Sequence, residues 1–477
     1  MADSATPPRG LVPVLCSAGI VVATMHTAIV PLVPTLPEIF DTDPAAAYWA
    51  VTATLLAAAV LTPIAGRLGD MYGKKLILIG TLMSLVIGSL LCAFAHTIEM
   101  MIAGRALQGA SSGAIALGIS ILRDELPEER VGPAIALMSS SMGLGGAFGL
   151  PFAAVVADAS DWHVLFWVAG AMSLACLIAV WRLVPESPVK SPGRFDGVGA
   201  IGLAVGLVCL MLVITRGNDI GWTSPQILGL AAGALVVFPV WGYYQMRRTA
   251  PLVDLRVSAR PQVLFTNLAS ISIGFTMYGT SLICTQIFMS PEESGYGMGL
   301  TMVEAGLLLA PGGLMMFVFS RVGAKISAIK GPRVALLTGA VVITVGYSWG
   351  LAMHGDAYAV VLCTVLVSSG VGMAYAAMPA LIMDAVPVSE TAAANGLNAL
   401  MRSLGMTSSA AVLAAVLSAS TIVVAGHTMP SSHAITLGLS VCLVAAVVSL
   451  AVGWLIPKEP SVENVEHGSG SVVAAET

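Results

Sequence analysis

The sequence predicts an all-α membrane protein that crosses the bilayer fourteen times, and three observations predict it. The chain has 477 residues, of which 57% are hydrophobic and only 10% are charged, whereas about a quarter of the residues of a soluble domain are charged. Continuous apolar runs recur along the chain, and about 20 apolar residues suffice to cross a ~30 Å hydrocarbon core as a helix. The basic residues also fall on one side of the fourteen-helix arrangement.

The fourteen predicted helices are joined mostly by short connections. Their predicted limits are 11–36, 45–65, 76–96, 98–122, 131–157, 163–184, 197–215, 225–246, 262–289, 301–320, 334–353, 356–383, 392–420 and 433–456. The first run is too long for the apolar region of a signal peptide, and no small-residue cleavage site follows it. We therefore interpret it as a retained first span.

The distribution of lysine and arginine tests this count. An even number of spans places both termini on one side, and we assign that side to the cytoplasm. Eighteen basic residues then lie on or near the inside and only Arg216 lies outside, as the positive-inside rule requires. The eighteen are Arg9, Arg67, Lys74, Lys75, Arg123, Arg130, Arg182, Lys190, Arg194, Arg247, Arg248, Arg256, Arg260, Arg321, Lys325, Lys330, Arg333 and Lys458. The sequence thus predicts a multi-pass protein of the cytoplasmic (inner) membrane with both termini in the cytoplasm.

Two similar basic segments indicate an internal repeat. GRLGDMYGKKLILIG (66–80) follows the second span and GAKISAIKGPRVALLTG (323–339) follows the tenth, with Ser327 where the first copy has Asp70. Both are interpreted as glycine-bounded loops that lead into an apolar helix. Copies eight spans apart predict two six-helix halves with two extra helices between them. The predicted divisions are 1–184 for the first half, 185–260 for the linker and accessory helices, 261–457 for the second half and 458–477 for a disordered tail.

The first of these segments resembles the signature loop of the major facilitator superfamily, and fourteen spans resemble its drug:proton antiporter branch. RALQGASSGA (105–114) is similar to the fourth-helix motif of the superfamily, and DWHVLFWVAG (161–170) to the start of its sixth helix. Thr27 and residues 29–39 resemble the first-helix pattern of the branch. The resemblance implies two pseudo-symmetric halves around a central cavity, and export of amphipathic compounds driven by proton entry.

The resemblance implies that the 66–75 segment is a conformational latch between the halves. The latch residues would be Gly66, Arg67, Asp70, Gly73, Lys74 and Arg123, with partners near residues 390–396. A carboxylate is favoured at a helix N-terminus, so Asp70 could face one across the two halves. The alternative is that Asp70 only neutralises Arg67 and Lys74 locally.

The fifth helix carries a partial match to the antiporter motif of the family. In GLGGAFGLPFAA (143–154), Gly145 and Gly149 keep the four-residue spacing that permits close helix packing. Pro151 stands one place late, and two alanines replace the expected glycine pair. The motif therefore predicts close packing and a bend more directly than it predicts antiport.

Four ionisable residues are candidates for proton coupling. His26 stands where the branch usually has an aspartate, and an imidazole titrates near pH 6.5 before any perturbation. It could carry the coupling proton, hydrogen-bond a neighbouring helix as a neutral ring, or contact substrate without titrating. Arg105 lies inside a span, so it must face the bundle interior or a water-filled cavity, and the resemblance links it to coupling. Glu304 and Asp384 are further candidates, although both lie near helix ends where they could simply reach the interface.

Ten polar, aromatic or methionine side chains are candidates for the wall of the substrate cavity. They are Gln108, Met138, Met142, Asn267, Phe275, Tyr278, Gln286, Asn395, Asn398 and Arg402. Asn395, Asn398 and Arg402 share roughly one face of the thirteenth helix, where they could line the cavity or bond between helices. Methionine adds adaptable apolar contact for varied ligands.

The function predicted from these features is proton-coupled multidrug efflux by a monomer. We expect a small amphipathic substrate, protons and the lipid bilayer as partners, no nucleic acid, and no cofactor or metal, because no phosphate-binding loop, dinucleotide fingerprint or metal motif is present. The alternatives are a lipid or lipid-linked metabolite transporter and a dedicated natural-product exporter of the same fold. An intramembrane enzyme or sensor would need a catalytic set or an appended domain, and the sequence shows neither.

Overall fold

The computed structural model describes residues 10–29, 32, 36–42, 44–159, 161–187, 189–190, 194–353, 356–424 and 427–457. Arg9, Lys458 and the predicted tail lie outside these ranges. Within them the chain is almost entirely helical.

Fourteen helices follow one another in the predicted order. They are α1 (Leu11–Thr27), α2 (Pro44–Tyr72), α3 (Lys74–Ala93), α4 (Ile98–Gly109, a 3-10 turn over Ala110–Ser112, and Gly113–Glu125), α5 (Glu128–Ala159), α6 (Trp162–Leu183), α7 (Gly197–Ile220), α8 (Pro225–Arg247), α9 (Pro261–Met289), α10 (Met302–Lys330), α11 (Pro332–Met353), α12 (Ala357–Met383), α13 (Thr391–Ala419) and α14 (Ser432–Leu455). Among the described residues, twelve of them are long and apolar enough to cross a membrane, and the exceptions are the shorter α1 and the interrupted α4. The predicted all-α membrane bundle is confirmed.

Small elements lie in the connections between these helices, among them the 3-10 turns Glu292–Ser294 and Val388–Glu390. Leu36–Ile39 and Leu255–Ser258 are one-turn helices. The strands β1 (Thr421–Val424) and β2 (His427–Pro430) form an antiparallel hairpin between α13 and α14, with Thr421 opposite Pro430. The sequence analysis did not predict this hairpin.

The buried side chains form a separate core in each half of the molecule. One core is built from α1 to α6 and reaches from Leu11 to Val184, joined at one end by Met383 and Ala392. The other is built from α9 to α14 and the segments between them. The two halves therefore meet along a seam.

The accessory helices α7 and α8 lie over one part of this seam. Leu203 of α7 packs in one cluster with Ala59 of α2 and Leu400 of α13, which belong to different halves. Asp196, at the start of α7, accepts a hydrogen bond of 2.9 Å from the hydroxyl of Tyr244 and thereby holds α8 against α7. The pair covers the α2–α13 contact on its outer side.

The two repeat segments are helical, so the prediction that they are loops was wrong. α2 continues past Asp70 to Tyr72, and α10 continues past Ser327 to Lys330. Each junction is reduced to one glycine with positive φ, 125° at Gly73 and 87° at Gly331, a conformation that glycine adopts without steric cost. The boundaries were misplaced because charged residues such as Lys and Arg are good helix formers and continue a helix beyond the hydrocarbon.

The first helix ends at Thr27, so its predicted extension to residue 36 was also wrong. The sequence that follows has prolines at 31, 34 and 37, and proline removes a backbone donor and clashes within a helix interior. The last carbonyl groups of α1 must therefore find partners outside their own helix.

Candidate functional site

Asp70 joins the two halves at the end of the bundle where α2 ends and α13 begins, here called the latch end. Its Oδ1 accepts a hydrogen bond from the backbone N–H of Ala392 at 3.2 Å, and its Oδ2 accepts one from Ala393 at 2.8 Å. The carboxylate is fully buried. The first N–H groups of a helix have no partner within it, and the dipole favours an anion there. Asp70 thus supplies the N-terminal cap of a helix that belongs to the other half.

Lys74 provides the neighbouring positive charge. Its Nζ lies 2.5 Å from Oδ2 of Asp124 and 3.8 Å from Oδ1 of Asp70. It also lies 3.5 Å from the hydroxyl of Thr391 in the other half. Local neutralisation and the contact across the seam therefore occur together, and Asp124 is the nearer partner of Lys74.

The remaining latch candidates lie around this carboxylate. A Cβ at Gly66 would overlap the carbonyl oxygen of Ala392, so the absence of a side chain allows the two backbones to touch. Arg123 donates from Nη2 to the carbonyl of Met383 at 3.0 Å, which adds a second hydrogen bond across the seam. Arg67 is buried beside the 251–258 segment.

Glu186, which the sequence analysis missed, caps a second helix in the same way. Its Oε1 accepts from the N–H of Lys75 at 3.1 Å and its Oε2 from that of Leu76 at 3.3 Å, at the start of α3. The carboxylate lies against Gly73. Glu186 follows shortly after α6, and this contact is made to the first half alone. The sequence carried no signal for it because 110 or more positions separate Glu186 from Lys75 and Leu76.

The glycines of α5 pack against α1. A Cβ at Gly145 would overlap the side chain of Ala23, and one at Gly149 would overlap the hydroxyl of Thr27. Pro151 lies against α10 of the other half, where a Cβ at Gly306 would come within 3.3 Å of its ring. α5 therefore has close contacts both within its own half and across the seam.

Arg105 is buried next to the C-terminal end of α1. It donates from Nη1 to the carbonyl of Met25 at 3.0 Å, from Nη2 to that of His26 at 3.4 Å and from Nε to that of Ala50 at 3.2 Å. A fourth bond of 2.6 Å joins it to the side chain of Gln108. Since α1 ends at Thr27, two of these carbonyls have lost their intrahelical partners, and a cation is favoured at a helix C-terminus.

His26 belongs to the same polar cluster. Its Nε2 lies 3.5 Å from the carbonyl oxygen of Gln108 and 3.4 Å from the hydroxyl of Ser112. Gln108 in turn donates to the hydroxyl of Ser89 at 2.9 Å. The cluster His26–Arg105–Gln108 ties α1 to α4 and lies wholly within the first half.

The other two proton-coupling candidates lie at the ends of the bundle. Glu304 is exposed and forms a capping box with Thr301 at the start of α10. Asp384 caps the C-terminus of α12 at the latch end, next to Met383. Neither side chain is part of the His26–Arg105–Gln108 cluster.

A narrow cleft lies between α4 of the first half and α12 and α13 of the second. Three of the predicted cavity residues, Asn395, Asn398 and Arg402, line it. Tyr375 of α12 also lines the cleft, and the sequence analysis did not select it. A tyrosine within an otherwise small and apolar stretch, GMAYAAMPA, was the available signal.

The structure places the other predicted cavity residues away from this cleft. Met138 is fully buried in the core of the first half, with Met142 packed beside it. Asn267 accepts a 3.0 Å hydrogen bond from Asn398 and so joins α9 to α13. The remaining four are Gln108 in the polar cluster, Phe275 against the second core, Tyr278 partly buried on α9, and Gln286 bonded to Ser290 at the far end of α9. Helical spacing shows which residues share a face but does not show which neighbour that face meets.

Two helical halves that meet at a seam with a cleft between them are the architecture of alternating-access transporters. The family model of the Major Facilitator Superfamily matches residues 15–410. The chain therefore belongs to that superfamily. It is a multi-pass membrane transporter and not an enzyme.

Similar proteins agree with this assignment. "Multidrug resistance protein 3" of Bacillus subtilis (strain 168) is 28% identical over 370 residues, which are 75% of this chain and 70% of that protein. "Multidrug transporter protein MdtP" of the same organism is 24% identical over 78% of this chain and 68% of its own length. The crystal structure of the human organic anion transporter MFSD10 (TETRAN) superposes with a TM-score of 0.66 over 95% of this chain and 100% of that chain, at 14% identity. This last likeness shows the fold alone.

Proposed function

We propose that the protein is a monomeric drug:proton antiporter that exports small amphipathic compounds across the cytoplasmic membrane by alternating access. The word "multidrug" in the names of the two Bacillus relatives supports small drug-like compounds as substrates. The basic residues at the latch end support a cytoplasmic location for that end and for both termini, by the positive-inside rule.

The observation that carries the proposal is the contact of Asp70 with the N-terminus of α13. It joins two halves that must separate at this end in the other state of the cycle. Hydrogen bonds to a charged group contribute about 1.5–3 kcal/mol, so this contact changes the ratio of the two states by about tenfold or more. A bias of this size favours one state without preventing the switch.

His26 is the group that we propose couples the switch to protons. It lies fifteen residues beyond the start of α1, or about 22 Å along the helix. Protonation would place a second positive charge beside Arg105, which disfavours the present arrangement and changes the relative stability of the two states. A proton gradient supplies about 1.4 kcal/mol per pH unit and about 2.3 kcal/mol per charge per 100 mV.

The test is flux of a fluorescent amphipathic dye in proteoliposomes, with and without an imposed pH gradient. We expect His26→Gln to retain downhill movement but to lose accumulation driven by the gradient, and His26→Asp to restore accumulation with a changed pH range. His433→Gln is the matched control, because His433 is exposed at the start of α14. Accumulation by the His26→Gln variant equal to that of the wild type would remove His26 from the coupling.

A further inference from the structure

Arg402 is a buried cation that has no counter-ion among the residues that the structure describes. Its side chain is only 9% exposed and lines the cleft between α4, α12 and α13. Its guanidinium carbon lies 4.9 Å from the centre of the Tyr375 ring. Among the described residues, the ion pairs within 4.0 Å involve Lys74 and His163, and none involves Arg402. Within the described part of the chain, the buried charge thus contacts an aromatic face and no carboxylate.

The hydroxyl of Tyr375 is a second unused polar group at the same place. Tyr375 is 1% exposed, and its oxygen is buried without a hydrogen-bond partner among the described residues. Buried hydroxyl groups are normally hydrogen-bonded. Two potential donors, from Arg402 and Tyr375, thus lie together on one wall of the cleft.

The rest of the cleft suits the apolar part of a ligand and contains no acid. Ile115 and Ile119 of α4 and Met378 of α12 line it, and Arg402 is the one charged residue among its described lining. An apolar wall that carries a single cation suits an amphiphile whose charged group is an anion.

We propose that this cleft binds amphipathic compounds that carry an anionic group, a carboxylate or a sulfonate. The anion pairs with the guanidinium of Arg402 and accepts a hydrogen bond from Tyr375, while the apolar part lies against α4. A planar guanidinium suits such groups because it can donate two parallel bonds. The inference rests on the proposed transport function and narrows its substrate class from amphipathic compounds in general to anionic ones.

Binding to the purified full-length protein tests this inference separately from transport. The probes are fluorescein, which is anionic, and a cationic rhodamine ester of the same ring skeleton, each titrated by fluorescence anisotropy. We expect saturable fluorescein binding that Arg402→Gln weakens about tenfold or more, since a charge-assisted pair is lost. Tyr375→Phe keeps the ring and removes only the hydroxyl, so it should weaken binding by a smaller factor.

Arg321→Gln is the matched control. Arg321 stacks on Phe317 at the same 4.9 Å, but it is exposed and lies outside the cleft. Fluorescein binding should therefore be unchanged in this variant. Preference of the wild type for the rhodamine ester, absence of saturable fluorescein binding, or equal binding by the wild type and the Arg402→Gln and Tyr375→Phe variants would overturn the inference.

Transport of the same two dyes in proteoliposomes is measured in parallel. Intact fluorescein binding without any flux would contradict the proposed exporter function and leave the anion site in place. Flux of the rhodamine ester that is insensitive to Arg402→Gln would contradict the anion site and leave the exporter function in place.

Discussion

Arg105 in the first half of the transporter and Arg402 in the second are both buried, and they have opposite environments. Arg105 of the first half donates to three carbonyls and to Gln108, whereas Arg402 of the second half has a tyrosine ring and an open cleft. A buried charge with satisfied bonds contributes to the structure, and removing one partner of such a charge is costly. A buried charge without a partner remains available to a ligand.

The two repeat segments also differ in whether their polar side chain has a hydrogen-bond partner. Asp70 accepts two backbone hydrogen bonds across the seam, whereas Ser327, which occupies the corresponding place in the second copy, has a buried hydroxyl without a partner among the described residues. The two halves share a fold but not their functions. The first half supplies the buried carboxylate of Asp70 at the seam and the internal polar cluster, and the second supplies most of the polar wall of the cleft.

The largest expected difference is in stability, between a variant that lacks Arg105 and one that lacks Arg402. Arg105→Ala leaves several buried carbonyls without a hydrogen-bond partner, and each such group costs about 1–3 kcal/mol. We therefore expect the free energy of unfolding to fall by about 5 kcal/mol, or folded protein not to accumulate. Arg402→Ala removes an unpaired buried charge and should change stability by about 1 kcal/mol or less. Thermal unfolding in detergent measures both. Similar losses for the two variants would show that their environments are energetically alike.

Asp70→Asn should shift the equilibrium between the two states by about tenfold or more, because charge-assisted hydrogen bonds to α13 are lost. Glu186→Gln is the matched control, since these two hydrogen bonds of Glu186 are made to the start of α3 and not across the seam, so we expect them to persist in both states. Distances between spin labels on the two halves at the latch end report the ratio of states. An equal shift in both variants would contradict a latch role for Asp70.

Gly66→Ala should open the latch end by steric overlap. The new methyl group would meet the carbonyl oxygen of Ala392, and overpacking of this kind costs about 1–3 kcal/mol. Gly80→Ala is the control, because nothing lies within 4 Å of a Cβ at that position in α3. The distances between spin labels on the two halves should lengthen for the Gly66→Ala variant only. Unchanged distances in that variant would show that a small local shift of the backbone accommodates the methyl group.

Ser327→Ala should have the smallest effect. It removes a hydroxyl that has no partner among the described residues, so we expect stability to change by about 0.5 kcal/mol or less, with dye flux and state ratio unaltered. A large change in the state ratio would give the second repeat a role comparable to that of Asp70.

The comparison also shows how far sequence patterns reach at a site. The charge of Asp70 suggested a carboxylate that faces a helix N-terminus, and the resemblance to the superfamily implied partners near residues 390–396, where α13 begins. The same patterns did not distinguish Arg105 from Arg402, which look alike as single cations in apolar helices. They also gave no sign of Glu186, whose partners are far away in the sequence. Nor did they predict that α1 ends at Thr27, which leaves the carbonyls of Met25 and His26 free to accept hydrogen bonds from Arg105.

The sequence by itself determined the order and the helical nature of the apolar segments. The physical reason is local: each stretch inside hydrocarbon must satisfy its own backbone hydrogen bonds, so a long apolar run has to be a helix. Only the tertiary structure decided which polar side chains meet, because the rotation and tilt of each helix are set by its packing against neighbours. For that reason Asn267 lies behind the cleft, bonded to Asn398, and Arg402 lies at its wall.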